Sequence, residues 1–420
     1  MRLSVRPIAL LATVLLPIAC RDGGITGPYT TRLSRELTAS EQHLIAADNA
    51  LAFKLYGALA ARESPDSNIF ISPLSVGMAL GMTVNGAAGA TRDSMLAALQ
   101  LAGAPMADVN ASYRSVIDLL RGLDPGVDFT LANSIWYRST FQTPGQAFLN
   151  DTRTYFDAQV QGLDFSAPTA AQTINDWVNG QTRGKIPDIV DAPIDPAVVM
   201  FLINAIYFKG SWTQKFDASL TKASPFTLRS GAAVTASMMT HAEPAPLRLY
   251  MDREVTVVDL PYGGGAYAMT IVLPRAPATI DSLSANLTED RWDAWIAGLD
   301  STRAIVTMPK FKLTFERGLE PPLTDLGMGI TFCPSPVSDF SGMYPGAAPG
   351  DFCISSVRHK TYVDVYEEGT EAAAVTSVGI DLSSAGPMPI VVDHPFIVAI
   401  RERLTGTILF LGRVMNPVGS

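Results

Sequence analysis

The sequence predicts a mixed α+β fold, built as one large domain from about residue 40 to the end of the chain at residue 420. Helix-type spacing of apolar residues is concentrated in the first half, and extended apolar runs in the second. Neither strict strand–helix alternation nor an internal repeat connects them, which argues against a doubly wound sheet or a solenoid. The chain has 420 residues, 47% of them hydrophobic, ample material for a large core.

The chain opens on what reads as an export signal. Arg2 and Arg6 precede a largely apolar run, Ile8 to Ala19, of signal-peptide rather than membrane-spanning length. The run ends Leu16-Pro17-Ile18-Ala19-Cys20. A small residue before Cys at that place resembles a bacterial lipobox, which would put a lipid anchor on Cys20, although Pro17 stands where an aliphatic residue is usual. The alternative is an ordinary signal peptide cut near Ala19. Residues 1–20 are expected to be the signal and the polar residues 21–39 a tether. The expected location is therefore the cell envelope, lipid-anchored, or outside the cell.

The domain begins at Thr38-Ala39-Ser40-Glu41, which has the form of a capping box. Leu44, Leu51, Leu55 and Leu59 follow at helical spacing, predicting a helix over about 40–61. Asn68 to Ile71 is a short apolar strand that meets Ser72, a good N-cap, with Pro73 at the first helical position. The Ala-, Gly- and Met-rich stretch to Gly86 should be a buried helix. Phe129 to Tyr137 reads as a strand and Ile174 to Gly180 as part of a helix. Phe201 to Phe208 is an apolar run holding Asn204, which needs a partner if buried. Glu254–Leu260 and Ala266–Leu273 form a hairpin through Pro261-Tyr262-Gly263-Gly264-Gly265. Ala304–Met308 and Phe311–Leu313 look extended, and Phe396–Ile400 with Thr407–Leu411 form a last hairpin turning near Thr405-Gly406.

Charge and composition exclude several functions. The net charge is −9 and no Lys/Arg block stands out, so no nucleic-acid partner is expected. After Cys20 only Cys333 and Cys353 remain. They flank a Pro/Gly/Ser-rich loop, and both a disulfide and a pair of free thiols are open. With no His pair nearby, no metal site is expected, and nothing motivates a cofactor. A hydrolase would need a nucleophile with a base and an orienting group. The four histidines (His43, His241, His359 and His394) come with no Gly-x-Ser-x-Gly elbow, and Tyr262-Gly263-Gly264-Gly265 lacks the lysine of a phosphate loop. The protein is not expected to be an enzyme.

The most telling segment is Glu367-Glu368-Gly369-Thr370-Glu371-Ala372-Ala373-Ala374. Small residues follow a permissive Gly, and Val375 to Pro389 carries little of the large apolar content of a core element. By itself this is an exposed loop able to become a strand, an Ala-rich helix, or a plain flexible loop. Its context decides. NIFISPLSV at 68–76, LINAIYFKGSW at 202–212, MPKFKL at 308–313, HKTYVDVYEEGTEAAA at 359–374 and DHPFIVAIRERLTGTILFLGRVMNP at 393–417 together resemble the serpin family, of a bacterial secreted or lipoprotein type. They stand in the family's order over roughly residues 40–417.

The resemblance implies three β-sheets, about eight or nine helices and an exposed reactive-centre loop. It implies a monomer that inhibits a serine protease as a suicide substrate: the protease cuts the loop, forms its acyl-enzyme, and is carried off as the hinge inserts into the central sheet. The hinge would be Glu367, Gly369, Thr370, Glu371, Ala372, Ala373 and Ala374. On an inserted strand Thr370, Ala372, Ala374 and Thr376 share one face and are all small and uncharged, while Glu371 faces away. Counting along the loop as the family does puts the reactive bond at Ser383–Ser384, with Leu382–Ser383 the next choice. No Arg or Lys lies between Val375 and Val392, which disfavours a trypsin-like target and favours elastase-, chymotrypsin- or subtilisin-like ones. Ser72, Ser75, Asn204 and His359 resemble the polar shutter under the central sheet. Trp212, Lys310 and Glu367 resemble the group where the loop first enters. The alternative within the family is a non-inhibitory member acting as a binding or chaperone-like protein.

Overall fold

The structure is a computed structural model and describes residues 32–370 and 388–419. Two hydrogen-bonded sheets lie against a set of helices. The strands are β1 (Ile69–Ile71), β2 (Val127–Arg138), β3 (Gln159–Leu163), β4 (Met200–Ser211), β5 (Asp217–Thr227), β6 (Ala233–Thr240), β7 (Ala245–Met251), β8 (Val255–Tyr262), β9 (Tyr267–Pro274), β10 (Asp300–Pro309), β11 (Phe311–Gly318), β12 (Arg358–Tyr366), β13 (Gly369–Thr370), β14 (Met388–Val391), β15 (Phe396–Glu402) and β16 (Ile408–Val414). The helices are α1 (Ala39–Ala60), α2 (Pro73–Val84), α3 (Gly89–Ala98), α4 (Met106–Leu120), α5 (Gln146–Phe156), α6 (Ala170–Gln181), α7 (Ile280–Ala285), α8 (Glu289–Ala297) and the single turn α9 (Glu320–Leu323).

The central sheet runs β11-β12-β13-β4-β2-β3. The second network runs β1-β16-β15-β9-β8-β7-β10-β6-β5, with β14 also on β10. The three expected sheets are realised as the central sheet plus two blocks merged through β10. Its residues Asp300–Ala304 pair with β7, and Thr307–Pro309 pair with β6.

Local chemistry explains the early elements. Thr38 accepts from the Glu41 N–H at 3.2 Å while the Glu41 carboxylate accepts from the Thr38 N–H at 2.7 Å, so both orphan donors of α1 are satisfied. Loss of such a cap costs about 1 kcal/mol. Leu44, Leu51, Leu55 and Leu59 are all buried on the core face, as their spacing predicts. Ser72 caps α2 with Pro73 at its first turn, and nearly every residue of α2 is buried. Its small residues have a reason. A Cβ on Gly77 would sit 2.5 Å from Asp48 Oδ1, and one on Gly81 would sit 2.7 Å from the Tyr113 ring.

The expected strands are in place, with boundaries shifted by one to a few residues. The 201–208 run is the middle of β4, and the two hairpins are β8–β9 and β15–β16. Cys333 and Cys353 form a disulfide, with Cα atoms 5.1 Å apart, that closes the loop they flank. Among the described residues no helix is long and apolar enough to cross a membrane.

Candidate functional site

β12 and β4 are both in the central sheet, and what stands between them is β13. The chain leaves β12 at Tyr366, turns through Glu367-Glu368 and doubles back, so that Val365 faces Thr370 and Tyr366 faces Gly369. On its other side β13 pairs antiparallel with β4, Gly369 opposite Ser211 and Thr370 opposite Gly210. Gly369 and Thr370 of the hinge are thus already strand. Gly369 is needed there on two counts. Its φ is +149°, and a Cβ would lie 2.1 Å from Gly210 O and 2.7 Å from Ser211 Cα.

Trp212, Lys310 and Glu367 meet around this turn. Trp212 Nε1 donates to Tyr366 O at 2.9 Å. Trp212 N donates to Glu368 O and Phe216 N to Glu367 O, both at 3.0 Å. Lys310 Nζ lies 2.9 Å from Glu367 Oε2, and Thr221 Oγ1 donates to Glu367 Oε1 at 2.7 Å. Burial pushes the Glu367 carboxyl up, but the Lys310 and Thr221 hydrogen bonds outweigh it and hold the group below its ordinary value. Lys215 pairs with Glu368 at 2.6 Å. Sequence reasoning missed Thr221, Lys215 and above all Tyr262. The Tyr262 ring stacks on Trp212 with centroids 4.4 Å apart, and its hydroxyl meets Thr370 Oγ1 at 2.7 Å. Tyr262 had read as one residue of a glycine turn.

Lower in the sheet the polar residues form two separate groups. Ser72 N donates to His359 Nε2 at 3.0 Å, and Ser72 Oγ accepts from Ser75 N at 3.3 Å. Ser75 therefore joins through its backbone. Because His359 Nε2 accepts, its ring is neutral with the proton on Nδ1. Burial pulls its pKa down to about 4. Two residues along β12, Thr361 Oγ1 donates to Phe70 O at 2.5 Å. Asn204 is joined elsewhere. It lies opposite Asn133 of β2 and donates to Asn133 Oδ1 at 2.8 Å, while Asn133 donates to Phe156 O at 2.6 Å. The structure thus brings Ser72, Ser75 and His359 together and gives Asn204 a different partner. Asn133 and Thr361 escaped notice because an Asn or Thr within a strand has no local signal of a cross-strand role.

Glu371, Ala372, Ala373 and Ala374 of the hinge, the bonds Leu382–Ser383 and Ser383–Ser384, and Cys20 lie outside the described residues. Among the described residues no cluster of three or more His, Cys, Asp or Glu side chains is arranged to hold a metal ion.

With a helical layer over a central sheet and a chain reversal seated between two of its strands, the family can be stated. Residues 46–417 match the family model "Serpin (serine protease inhibitor)", and the chain belongs to that family. It is 36% identical over 386 residues to the leukocyte elastase inhibitor of Bos taurus, spanning 90% of this chain and 100% of that one. It is 34% identical to iripin-2 of Ixodes ricinus, over 89% of this chain and 94% of that one. Among solved structures it is similar to human thyroxine-binding globulin complexed with thyroxine, with TM-score 0.80 and 29% identity, covering 91% of this chain and 100% of that one. The fold is the serpin fold, and the family is one of protease inhibitors rather than enzymes.

Proposed function

We propose that this serpin inhibits serine proteases by covalent trapping, with its loop inserting into the central sheet between β12 and β4. The observation that supports this most is β13. Gly369 and Thr370 pair with both flanking strands, so further insertion needs only propagation downward. The residues that follow, with Ala372, Ala374 and Thr376 on one face, carry no bulk or charge to bury there. In the step proposed, the protease serine attacks the carbonyl carbon of Ser383. The Ser383–Ser384 peptide bond breaks, and Ser384 leaves as a protonated amine. The ester on the protease is then dragged away with the inserting strand before water can cleave it. Strand insertion is a recognised way of releasing stored strain.

In this reading Ser72, Ser75 and His359 anchor β12 and Asn204 anchors β4, the two strands that must part, and Trp212, Lys310 and Glu367 fix the point where insertion starts. The target is elastase-, chymotrypsin- or subtilisin-like, given a loop without Arg or Lys, and the bovine relative is itself named an elastase inhibitor. The protein acts as a monomer, exported and anchored through Cys20. Incorporation of labelled fatty acid by the wild type but not by Cys20→Ser, in a bacterial host, checks the anchor.

The test is to mix the full-length protein with elastase, chymotrypsin and subtilisin and to follow denaturing gels with mass spectrometry. The expected result is an SDS-stable complex and a released peptide beginning at Ser384. Clean cleavage by all three with no complex would count against trapping and for a binding role.

A further inference from the structure

We propose that the Tyr262 hydroxyl is a docking point for Thr370, one that holds Gly369 and Thr370 between β12 and β4 before any protease arrives. Tyr262 belongs to the second sheet, yet its ring lies under the central one. It is fully buried, stacked on Trp212 at an interplanar angle of 11° and edge-on to Phe208 at 5.1 Å. The only hydrogen bond of its hydroxyl among the described residues goes to Thr370 Oγ1 at 2.7 Å.

The ring has no freedom to follow Thr370 outward. Thr213 N donates to Pro261 O at 2.9 Å and Gly263 N to Ser211 O at 2.8 Å, tying both sides of Tyr262 to the end of β4. The turn beyond it is clamped by the buried Asp124 carboxylate, which accepts from Gly264 N at 2.9 Å and Ala266 N at 3.2 Å. Gly210, opposite Thr370, keeps the approach open, since a Cβ there would come within 2.8 Å of the Tyr262 ring. Withdrawal of Thr370 leaves a fixed, buried hydroxyl without its partner, which is costly. Tyr262 is therefore a positioning residue that biases the hinge towards the inserted register. The consequence for inhibition rests on the trapping mechanism proposed above: insertion starts from a seated pair rather than from a free loop.

Hydrogen–deuterium exchange on the full-length protein tests this without a protease. Tyr262→Phe keeps the stack and removes only the hydroxyl, and Thr370→Val keeps the shape of the other partner. Each single variant should speed exchange of the Gly369 and Thr370 amides roughly three- to tenfold, the scale of one hydrogen bond, with β9 unchanged. The double variant should be no faster than either single, because both act through one bond. Unchanged exchange at 369–370 in Tyr262→Phe, or single-variant effects that multiply in the double, would overturn the docking role. Altered exchange in a protein that traps no protease would preserve the docking point and sink the inhibitory reading. Trapping with unaltered exchange would do the reverse.

Discussion

The upper and lower parts of the gap between β12 and β4 are held in different ways. At the top the two strands are bridged by the hinge itself. Gly369 and Thr370 pair with both, and Glu367, Lys310, Trp212 and Tyr262 crowd around the reversal. Lower down each strand is fastened to something other than its counterpart. His359 ties β12 to Ser72 at the start of α2 and Thr361 ties it to Phe70 of β1, while Asn204 ties β4 to Asn133 of β2. The top is therefore specific to the incoming chain, and the bottom is indifferent to it. A strand entering from the top can separate the lower halves while these particular bonds stay intact. An opening sheet needs that arrangement, because a broken buried hydrogen bond would resist every step of insertion.

The largest effect should come from blocking the path below β13. Ala372→Arg puts a cation on the face assigned to the core and should abolish covalent complex formation, leaving a substrate that is cut and released. Undiminished complex on denaturing gels would mean that the facing is wrong. Next is the bridge at the top. Gly369→Ala meets Gly210 O and forces a disfavoured φ, so it should cost about 1–3 kcal/mol of local stability. The check is faster amide exchange at 369–370 with little change at His359.

A pH titration separates the two regions further. His359 below and His241 above, the latter stacked on Phe216 at 3.9 Å, are both pulled down to about 4 by burial. Their folded values lie under the unfolded value near 6.5, so between roughly pH 6.5 and 4 the unfolded chain binds protons that the folded one does not. Stability is full above that window and falls as pH drops, by at most about 1.4 kcal/mol per pH unit for each group. His359→Gln and His241→Gln should each flatten part of the slope in denaturant unfolding at pH 7 and 5. The smallest effect is that of Lys310→Ala. Its partner Glu367 is buried and keeps the Thr221 hydrogen bond, while Lys310 itself is partly exposed, so about 0.5–1 kcal/mol is expected, shrinking at high salt.

Legibility in the sequence followed the range of the interactions. The capping box at Thr38, the Ser72-Pro73 helix start and the two hairpins are written within a few residues, and the structure has them in place. The meeting of Trp212, Lys310 and Glu367 was legible through family resemblance alone, since 155 residues separate the first and last of them. Strands β5, β6 and β7 escaped because their burial is broken and irregular, giving no clean period of two. Helices α4 and α5 went unread, although both have apolar residues at helical spacing. Asn133 and Tyr262 stayed hidden for another reason. The first takes its role from register across β2 and β4, and the second from the approach of one sheet to another. Neither is a local property of the chain.

The central claim is that cleavage lets the loop become a strand of the central sheet. The most direct measurement is thermal unfolding of the loop-cleaved protein beside the intact one. Insertion predicts a melting midpoint well above that of the intact protein, because a full-length strand then pairs on both edges where, among the described residues, Gly369 and Thr370 do now. An unchanged midpoint after complete cleavage would contradict it.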